Sequence, residues 1–166
     1  MPIEHVKGDV TLPVESTAER VVAHIVNDAG KYGAGVSGAI EKRWPEAAEY
    51  YRKQYKLARK NVQLGCVLWT APPGNIMIAQ MVAQHGVRHF GNTRPIRYEF
   101  LEECLAKVAT AARVLPEKHH FDDRHLQDVS IHMPRIGAGL AGGRWERIEG
   151  LIDEVFWDLK VFIYTP

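Results

Sequence analysis

Two short stretches of the chain are rich in glycine and could bind an anion through their backbone. Residues 137–143, GAGLAGG, hold four glycines, and residues 28–35, DAGKYGAG, hold three. Each stretch follows an apolar run and precedes a pattern of helical spacing. Such a junction presents unpaired backbone N–H groups and the positive end of a helix dipole, and both attract phosphate. We therefore expect a phosphate-bearing ligand; the alternative is two tight turns that bind nothing.

The elements around these loops predict an α/β fold. Residues 20–27, RVVAHIVN, form a nearly continuous apolar run, which is typical of a buried central strand. The order of elements predicts a mixed, mostly parallel sheet sandwiched by helices, with a ligand at the carboxyl ends of the strands. Predicted strands cover residues 3–9, 20–27, 64–72, 75–84, 128–133 and 161–165; helices begin at Val36, Pro45, Pro95 and Trp145, the last reaching Leu159, and residues 116–125 form a surface connection.

The composition is that of an ordinary globular protein. The chain has 166 residues, of which 46% are hydrophobic and 25% charged, and its formal net charge is +1 at pH 7. We expect one domain over residues 1–166, no membrane segment and no strong general attraction to nucleic acid. Cys66 and Cys104 lack a CxxC spacing, which favours a reduced, cytoplasmic protein. We also expect a monomer.

Several segments together resemble one family. The chain contains GDV at residues 8–10, HIVNDAGKYGAGVSGAI at 24–40, MPRIGAGLAGGRW at 133–145 and FIYT at 162–165. In these segments it resembles the macrodomains, and within them the branch of terminal ADP-ribose protein glycohydrolase and the antitoxin-type DNA–ADP-ribose glycohydrolases. The resemblance implies a single macrodomain that binds ADP-ribose in a cleft. It also implies, as partners, ADP-ribose or ADP-ribosylated protein, with ADP-ribosylated nucleic acid as a further option.

The resemblance assigns ligand contacts to particular positions. Asp9 would accept a hydrogen bond from the adenine amino group beside the N–H of Val10, Tyr164 would lie against the adenine, and Asn27 would bind the distal ribose. The residues alone leave alternatives: a capping role for Asp9, a turn for Asn27 and a core position for Tyr164. Arg135 would add positive charge beside the second glycine loop or hold that loop in place. The diphosphate would lie between the two loops, against Gly33, Ala34, Gly35 and Val36 on one side and Ile136, Gly137, Ala138, Gly139 and Leu140 on the other.

The chain departs from this branch at its two catalytic positions. Gln84 stands where the branch has a lysine nucleophile, and Ala141 where it has an aspartate. Glutamine forms no Schiff base and alanine moves no proton, so the lysyl mechanism does not carry over. We predict instead hydrolysis of an ADP-ribosyl ester to glutamate or aspartate by activated water. Asp28 and His85 are the candidates to position and deprotonate that water, and Gln84 to orient the ribose. The alternatives are a non-catalytic reader of ADP-ribose and a phosphatase acting on ADP-ribose 1″-phosphate.

Two other clusters carry weaker hypotheses. The spacing of the histidines and aspartates in residues 119–125 matches no zinc module, so we expect neither metal nor cofactor. The basic residues of segment 53–60 predict a solvated helix face, although they would also suit a nucleic-acid substrate. The first cluster comprises His119, His120, Asp122, Asp123 and His125, and the second Lys53, Lys56, Arg59 and Lys60.

Overall fold

Strands and helices alternate along much of the chain, and the strands form one sheet. A computed structural model describes residues 3–16, 18–119 and 129–166. In these ranges the sheet has six strands in the order β1-β6-β5-β2-β4-β3. All neighbouring strands are parallel except β3 and β4, so the predicted mixed, mostly parallel sheet is confirmed. The strands are β1 (Glu4–Lys7), β2 (Arg20–Asn27), β3 (Val67–Thr70), β4 (Ile76–Gln84), β5 (Ser130–Pro134) and β6 (Lys160–Thr165).

Helices cover both faces of the sheet. Val21 and Ala23 of the central strand β2 pack in one core cluster with residues 101–115 and 148–156. Val22 points to the opposite face and packs with Ile40. This burial on both sides explains why the strand is apolar along nearly its whole length. The helices are α1 (Val36–Arg43), α2 (Pro45–Leu57), α3 (Tyr98–His119) and α4 (Trp145–Val155), with a short 3-10 helix at Arg59–Val62.

The helix predicted from Pro95 begins three residues later, at Tyr98. Residues 95–97 instead lie beside the end of β4. The N–H of His85 donates to the Pro95 carbonyl at 2.8 Å, and the N–H of Arg97 donates to the Ala83 carbonyl at 2.8 Å. Pairing with the sheet edge satisfies these backbone groups, so the helix starts only where that pairing stops.

Two helix ends predicted from the sequence are also wrong, and the strands predicted at residues 3–9 and 64–72 are shorter, at Glu4–Lys7 and Val67–Thr70. Helix α3 continues to His119, so residues 116–119 belong to the helix and not to a surface connection. Helix α4 ends at Val155, and Leu159 lies in the turn before β6. Packing of the helices on the sheet decides these ends, and the local pattern carries little information about it.

Helix α2 is tied to the end of β2 by one buried hydroxyl. Tyr51 is fully buried. Its hydroxyl donates to the Asn27 carbonyl at 2.7 Å and lies 2.9 Å from Asn27 Oδ1. Burial raises the pKa of this phenol, so it stays protonated and available as a donor. The contact fixes the point at which β2 gives way to the first glycine loop.

No helix within the described ranges combines the length and the apolar character that crossing a bilayer requires.

Removing the Tyr51 hydroxyl should destabilise the protein. In Tyr51→Phe the buried Asn27 oxygens lose a donor, so we expect the free energy of unfolding to fall by about 1 kcal/mol. Tyr50→Phe is the matched control, because Tyr50 is 37% exposed and no hydrogen bond of its hydroxyl is seen in the described structure. Urea denaturation of both variants measures the difference. Equal stability of the two variants would contradict the assigned role.

A candidate ligand cleft between two glycine loops

The two glycine loops open into one cavity at the carboxyl edge of the sheet. Loop A (residues 28–35) follows β2, and loop B (residues 135–144) follows β5. The cavity between them has a volume of about 990 Å³, enough for a ligand of dinucleotide size. Because β2 and β5 are parallel neighbours, their carboxyl ends lie side by side. The lining includes Asn27, Ala34, Gly35, Val36, Gln84, Arg135, Ile136, Gly137, Ala138, Gly139, Leu140 and Tyr164 from the predicted set.

Asn27 shapes loop A from within. Its Oδ1 accepts hydrogen bonds from the N–H groups of Ala29 (3.0 Å) and Lys31 (3.2 Å), and its Nδ2 donates to the Lys31 carbonyl (2.8 Å). Together with the Tyr51 contact, these bonds engage both ends of the amide. The turn-forming role left open by the sequence is therefore present, while contact with a ribose stays a prediction.

The glycines of loop A have backbone conformations that other residues rarely adopt. Gly33 has φ +113° and Gly35 has φ +57°. The N–H of Gly33 is already bonded to Ser37 Oγ at 3.1 Å, so it is not available to a ligand in this geometry. The N–H groups of Ala34, Gly35 and Val36 have no acceptor in the described part of the chain. Loop A therefore presents three free donors at the N-terminus of α1.

The glycines of loop B fall into two groups. At Gly137 a Cβ would collide with Ile96 Cδ1, and at Gly142 it would lie 2.6 Å from the Thr93 carbonyl oxygen. Gly143 would meet the Gly137 carbonyl oxygen at 2.6 Å. These three are glycines because the loop packs against the protein itself. Gly139 differs, since a Cβ there would contact nothing within 4 Å and its φ is not positive.

The two loops approach each other across the cavity. A Cβ added at Gly35 would lie 3.8 Å from Leu140 Cδ1, so the Leu140 side chain of loop B lies close to loop A. No protein acceptor is bound to the N–H groups of Gly139 or Leu140 in the described structure. Free donors on both sides of one narrow gap form a site suited to a diphosphate.

Two of the residues predicted to contact adenine, Asp9 and Tyr164, are hydrogen-bonded within the protein. Asp9 and Val10 do not line it, and Asp9 Oδ1 accepts from the N–H and hydroxyl of Thr11, both at 2.8 Å. Tyr164 borders the cavity but is buried, and its hydroxyl bonds to the N–H of Val14 and to Nδ1 of His132. Asp9 thus takes the capping role and Tyr164 the core position that the sequence left as alternatives. Their contact with adenine stays a prediction.

The three predicted catalytic residues lie close together where β2 and β4 end. Asp28 Oδ2 lies 2.7 Å from His85 Nδ1, and Asp28 Oδ1 accepts from the N–H of Gly86 at 2.7 Å. Gln84 lines the cavity and donates from Nε2 to the Gly86 carbonyl at 3.3 Å. Asp28 and His85 do not line the cavity themselves. They flank the lining residues Asn27 and Gln84 at its rim.

Several lining residues were not predicted from the sequence. Trp145 is one of them, and the predicted residue Arg135 stacks over its ring, 5.0 Å from the centroid. On the other wall Tyr32 donates to Gln80 Oε1 at 2.7 Å, and His24 Nε2 lies 3.3 Å from the same oxygen. Burial lowers the pKa of His24 to about 4, so its ring is neutral at pH 7. A histidine inside an otherwise apolar strand was the signal for this buried polar group.

The two weaker hypotheses have different outcomes. The segment His120–His125 lies outside the described residues, as does the side chain of His119, so the structure does not test a metal there. Elsewhere, the described ranges contain no group of three or more residues able to hold a metal. The basic residues Lys53, Lys56, Arg59 and Lys60 are all exposed on α2 and the 3-10 helix.

Related proteins align with nearly the whole chain. Mouse chromodomain-helicase-DNA-binding protein 1-like is 34% identical over 90% of this chain, but the chain spans only 16% of that protein's length. ADP-ribose 1″-phosphate phosphatase of Candida albicans is 26% identical over 98% of this chain and 99% of its own. Human ADP-ribose glycohydrolase OARD1 is 26% identical over 98% and 91%, respectively.

Solved structures share the fold. A Bacteroides thetaiotaomicron protein of unknown function has a TM-score of 0.84 at 36% identity, covering 99% of this chain and 98% of its own. A macrodomain protein from Streptomyces coelicolor has a TM-score of 0.81 at 32% identity, covering 99% of both. The macrodomain of Thermus aquaticus DarG, at 24% identity and also covering 99% of both chains, has a TM-score of 0.71 and shares the fold.

The family model described as Macro domain matches residues 23–152. This range contains both glycine loops, the whole of β5 and the carboxyl-terminal part of β2. The family predicted from the sequence is confirmed: the chain belongs to the macrodomain family.

Proposed function

We propose that the cleft binds ADP-ribose with its diphosphate between loops A and B. The observation that carries this proposal is the pair of facing loops with free N–H groups on both sides. Gly139 adds to it, because neither backbone conformation nor packing requires a glycine there. A position kept free of a side chain beside open space is suited to a ligand. The names of the Candida and human relatives both refer to ADP-ribose, in agreement with the function predicted from the sequence.

We further propose that the protein hydrolyses an ADP-ribosyl ester to glutamate or aspartate. Asp28 Oδ2 lies 2.7 Å from His85 Nδ1, and in the tautomer whose Nδ1–H donates to Asp28 the lone pair on Nε2 would serve as a base. No protein partner of Nε2 is seen in the described structure, and the side chain is 62% exposed. His85 would take a proton from water, the water oxygen would attack C1″, and the carrier carboxylate would leave as an anion without needing a proton.

This mechanism accommodates the two departures from the branch. Water replaces the lysine as nucleophile, so Gln84 is needed only to orient the distal ribose. Ala141 is buried, with 4% of its surface exposed, and its carbonyl accepts from the N–H of Ile96. It therefore supports loop B and supplies no proton. A carboxylate ester is labile enough for positioning and a single base to suffice.

Phosphatase action is the second candidate. The relative from Candida albicans is named for that activity, and the two chains align over nearly their whole lengths. The same cleft would bind ADP-ribose 1″-phosphate, and His85 would again activate water. The two reactions differ in their product, because only the phosphatase releases inorganic phosphate.

A single-turnover reaction tests the proposal. Excess protein is mixed with a carrier bearing glutamate-linked ADP-ribose, and the label is followed. Release of free ADP-ribose supports the hydrolase. Label that stays on the carrier while the carrier binds the protein identifies a reader. Phosphate released from ADP-ribose 1″-phosphate, without release from the carrier, identifies a phosphatase.

Substituting His85 should slow catalysis and spare binding. For His85→Gln we expect the single-turnover rate to fall by about 100-fold, since general-base catalysis contributes at least that much. Asp28→Asn should act in the same direction, because it removes the acceptor that orients the ring. His5→Gln, on the exposed first strand, is the control and should react as the wild type does. A wild-type rate in His85→Gln would exclude this base.

A side chain at Gly139 should block the ligand without disturbing the fold. For Gly139→Val we expect affinity for ADP-ribose to fall by at least about tenfold, because the new atoms fill the gap between the loops. Gly150→Val is the matched control, since a Cβ there also meets nothing within 4 Å and the residue lies on α4 outside the cavity. Calorimetric titration and thermal unfolding report binding and stability separately.

The variant Gly137→Val tests whether packing requires the glycine at position 137, in contrast to the glycine at position 139. We expect this variant to unfold at a lower temperature than the wild type, because its Cβ would collide with Ile96 and the residue has φ +72°. If Gly139→Val instead lost stability as Gly137→Val does, the assignment of Gly139 to the ligand would be wrong.

A further inference from the structure

A compact loop at the mouth of the cavity carries a fully exposed aromatic side chain. The mouth loop (residues 85–94) connects β4 to the segment before α3. Phe90 at its tip is exposed over its whole surface. Single exposed apolar residues are common and need no explanation by themselves. The features that set Phe90 apart are the rigidity of its loop, its position and the charges beside it.

The mouth loop is held in one conformation by its own hydrogen bonds. His89 and Asn92 exchange two backbone bonds, of 3.1 and 2.9 Å, around the Phe90–Gly91 turn. Asn92 Nδ2 also donates to the carbonyls of His85 (2.8 Å) and Val87 (3.2 Å). The loop therefore presents Phe90 to solvent in a fixed arrangement, and a partner would pay little entropy to order it.

The loop lies where a carrier would leave the cleft. Val87 and Arg88 line the cavity, and His85 and Gly86 at the base of the loop bind Asp28. In the proposed function, the bond to the carrier is broken beside this pair. The carrier chain on the far side of that bond must then run past residues 87–90.

The charges of the loop suit a carrier modified on glutamate. Arg88 and Arg94 are exposed, and within the described residues neither guanidinium takes part in an ion pair. The ester-linked glutamate itself carries no charge, so the carrier segment that suits this loop is one in which further glutamates or aspartates flank the modified residue. Two arginines without an ion pair among the described residues, in the same loop as one exposed aromatic ring, complement such a segment. Tight binding of nucleic acid would need more phosphate contacts than these two.

We propose that the mouth loop is a docking surface for the protein segment around the ADP-ribosylated residue, with Phe90 as its apolar contact. The proposal rests on the proposed function, since it names the carrier of the same site. If the mouth loop docks this segment, the protein binds ADP-ribosylated protein more tightly than free ADP-ribose. Residues outside the cleft then provide the difference in affinity.

The test compares two ligands with the same ADP-ribose group. One is free ADP-ribose; the other is a peptide with acidic flanks that carries ADP-ribose on its central residue through a hydrolysis-resistant linkage. We expect the wild type to bind the peptide more tightly. Phe90→Ala should raise the Kd of the peptide by about fivefold and leave the Kd of free ADP-ribose unchanged. Leu57→Ala is the control, because Leu57 is also exposed and lies at the end of α2.

Each outcome decides the proposal. A loss in Phe90→Ala that is specific to the peptide and smaller for a peptide with lysine flanks supports it. Equal affinities of the wild type for peptide and free ADP-ribose would overturn it while leaving the proposed function intact. A Phe90 effect confined to an ADP-ribosylated oligonucleotide, with steep salt dependence, would overturn it in favour of nucleic acid. If the wild type bound neither ligand, the proposed function and this proposal would fall together.

Discussion

The parallel pairing of β2 with β5 is the constraint on which the cleft depends. Arg20, Val21 and Val22 pair with Ser130, Ile131 and His132, respectively, and both strands then run to the same edge of the sheet. Two strand–glycine–helix junctions that are more than 100 residues apart in the chain are thereby brought face to face. Neither loop alone would enclose a diphosphate, since each offers donors from one side. The pairing of strands in the sheet therefore determines where the site lies, and the two loops supply its hydrogen-bond donors.

Most of the glycines at this edge are required by close packing within the protein, whether or not a ligand binds. Gly137, Gly142 and Gly143 allow loop B to pack against Ile96, Thr93 and itself, and Gly38 allows α1 to approach the Gly33 carbonyl, where a Cβ would lie at 2.6 Å. These contacts keep the loops in place without help from a ligand. Gly139 is the exception, and the free N–H groups lie next to it. Preorganisation of this kind reduces the entropy cost of binding.

The fold could be predicted from the sequence because its elements have local patterns, and the position of the cleft followed from the rule that parallel strands bring their carboxyl ends to one edge of the sheet. The apolar run of β2 and the two glycine loops have strong signals that tertiary packing does not overturn. The start of α3 could not be predicted, because the pairing of residues 95–97 with the end of β4 is not local. The contact between Asp28 and His85 could not be predicted either, although both residues were candidates from the sequence. They are 57 residues apart and meet only because loop A and the mouth loop follow neighbouring strands. The sequence also did not distinguish Gly137 from Gly139, since both lie in one motif and only their surroundings differ.

The central claim is that backbone N–H groups on both loops bind one diphosphate. Its most direct test is an amide NMR titration of the labelled protein with ADP-ribose. Ala34, Gly35 and Val36 on loop A and Gly139 and Leu140 on loop B should shift together, with one dissociation constant. Gly33, whose N–H is already bonded to Ser37, should move least within loop A. Shifts confined to one loop, or absent from both while the ligand binds elsewhere, would contradict the account.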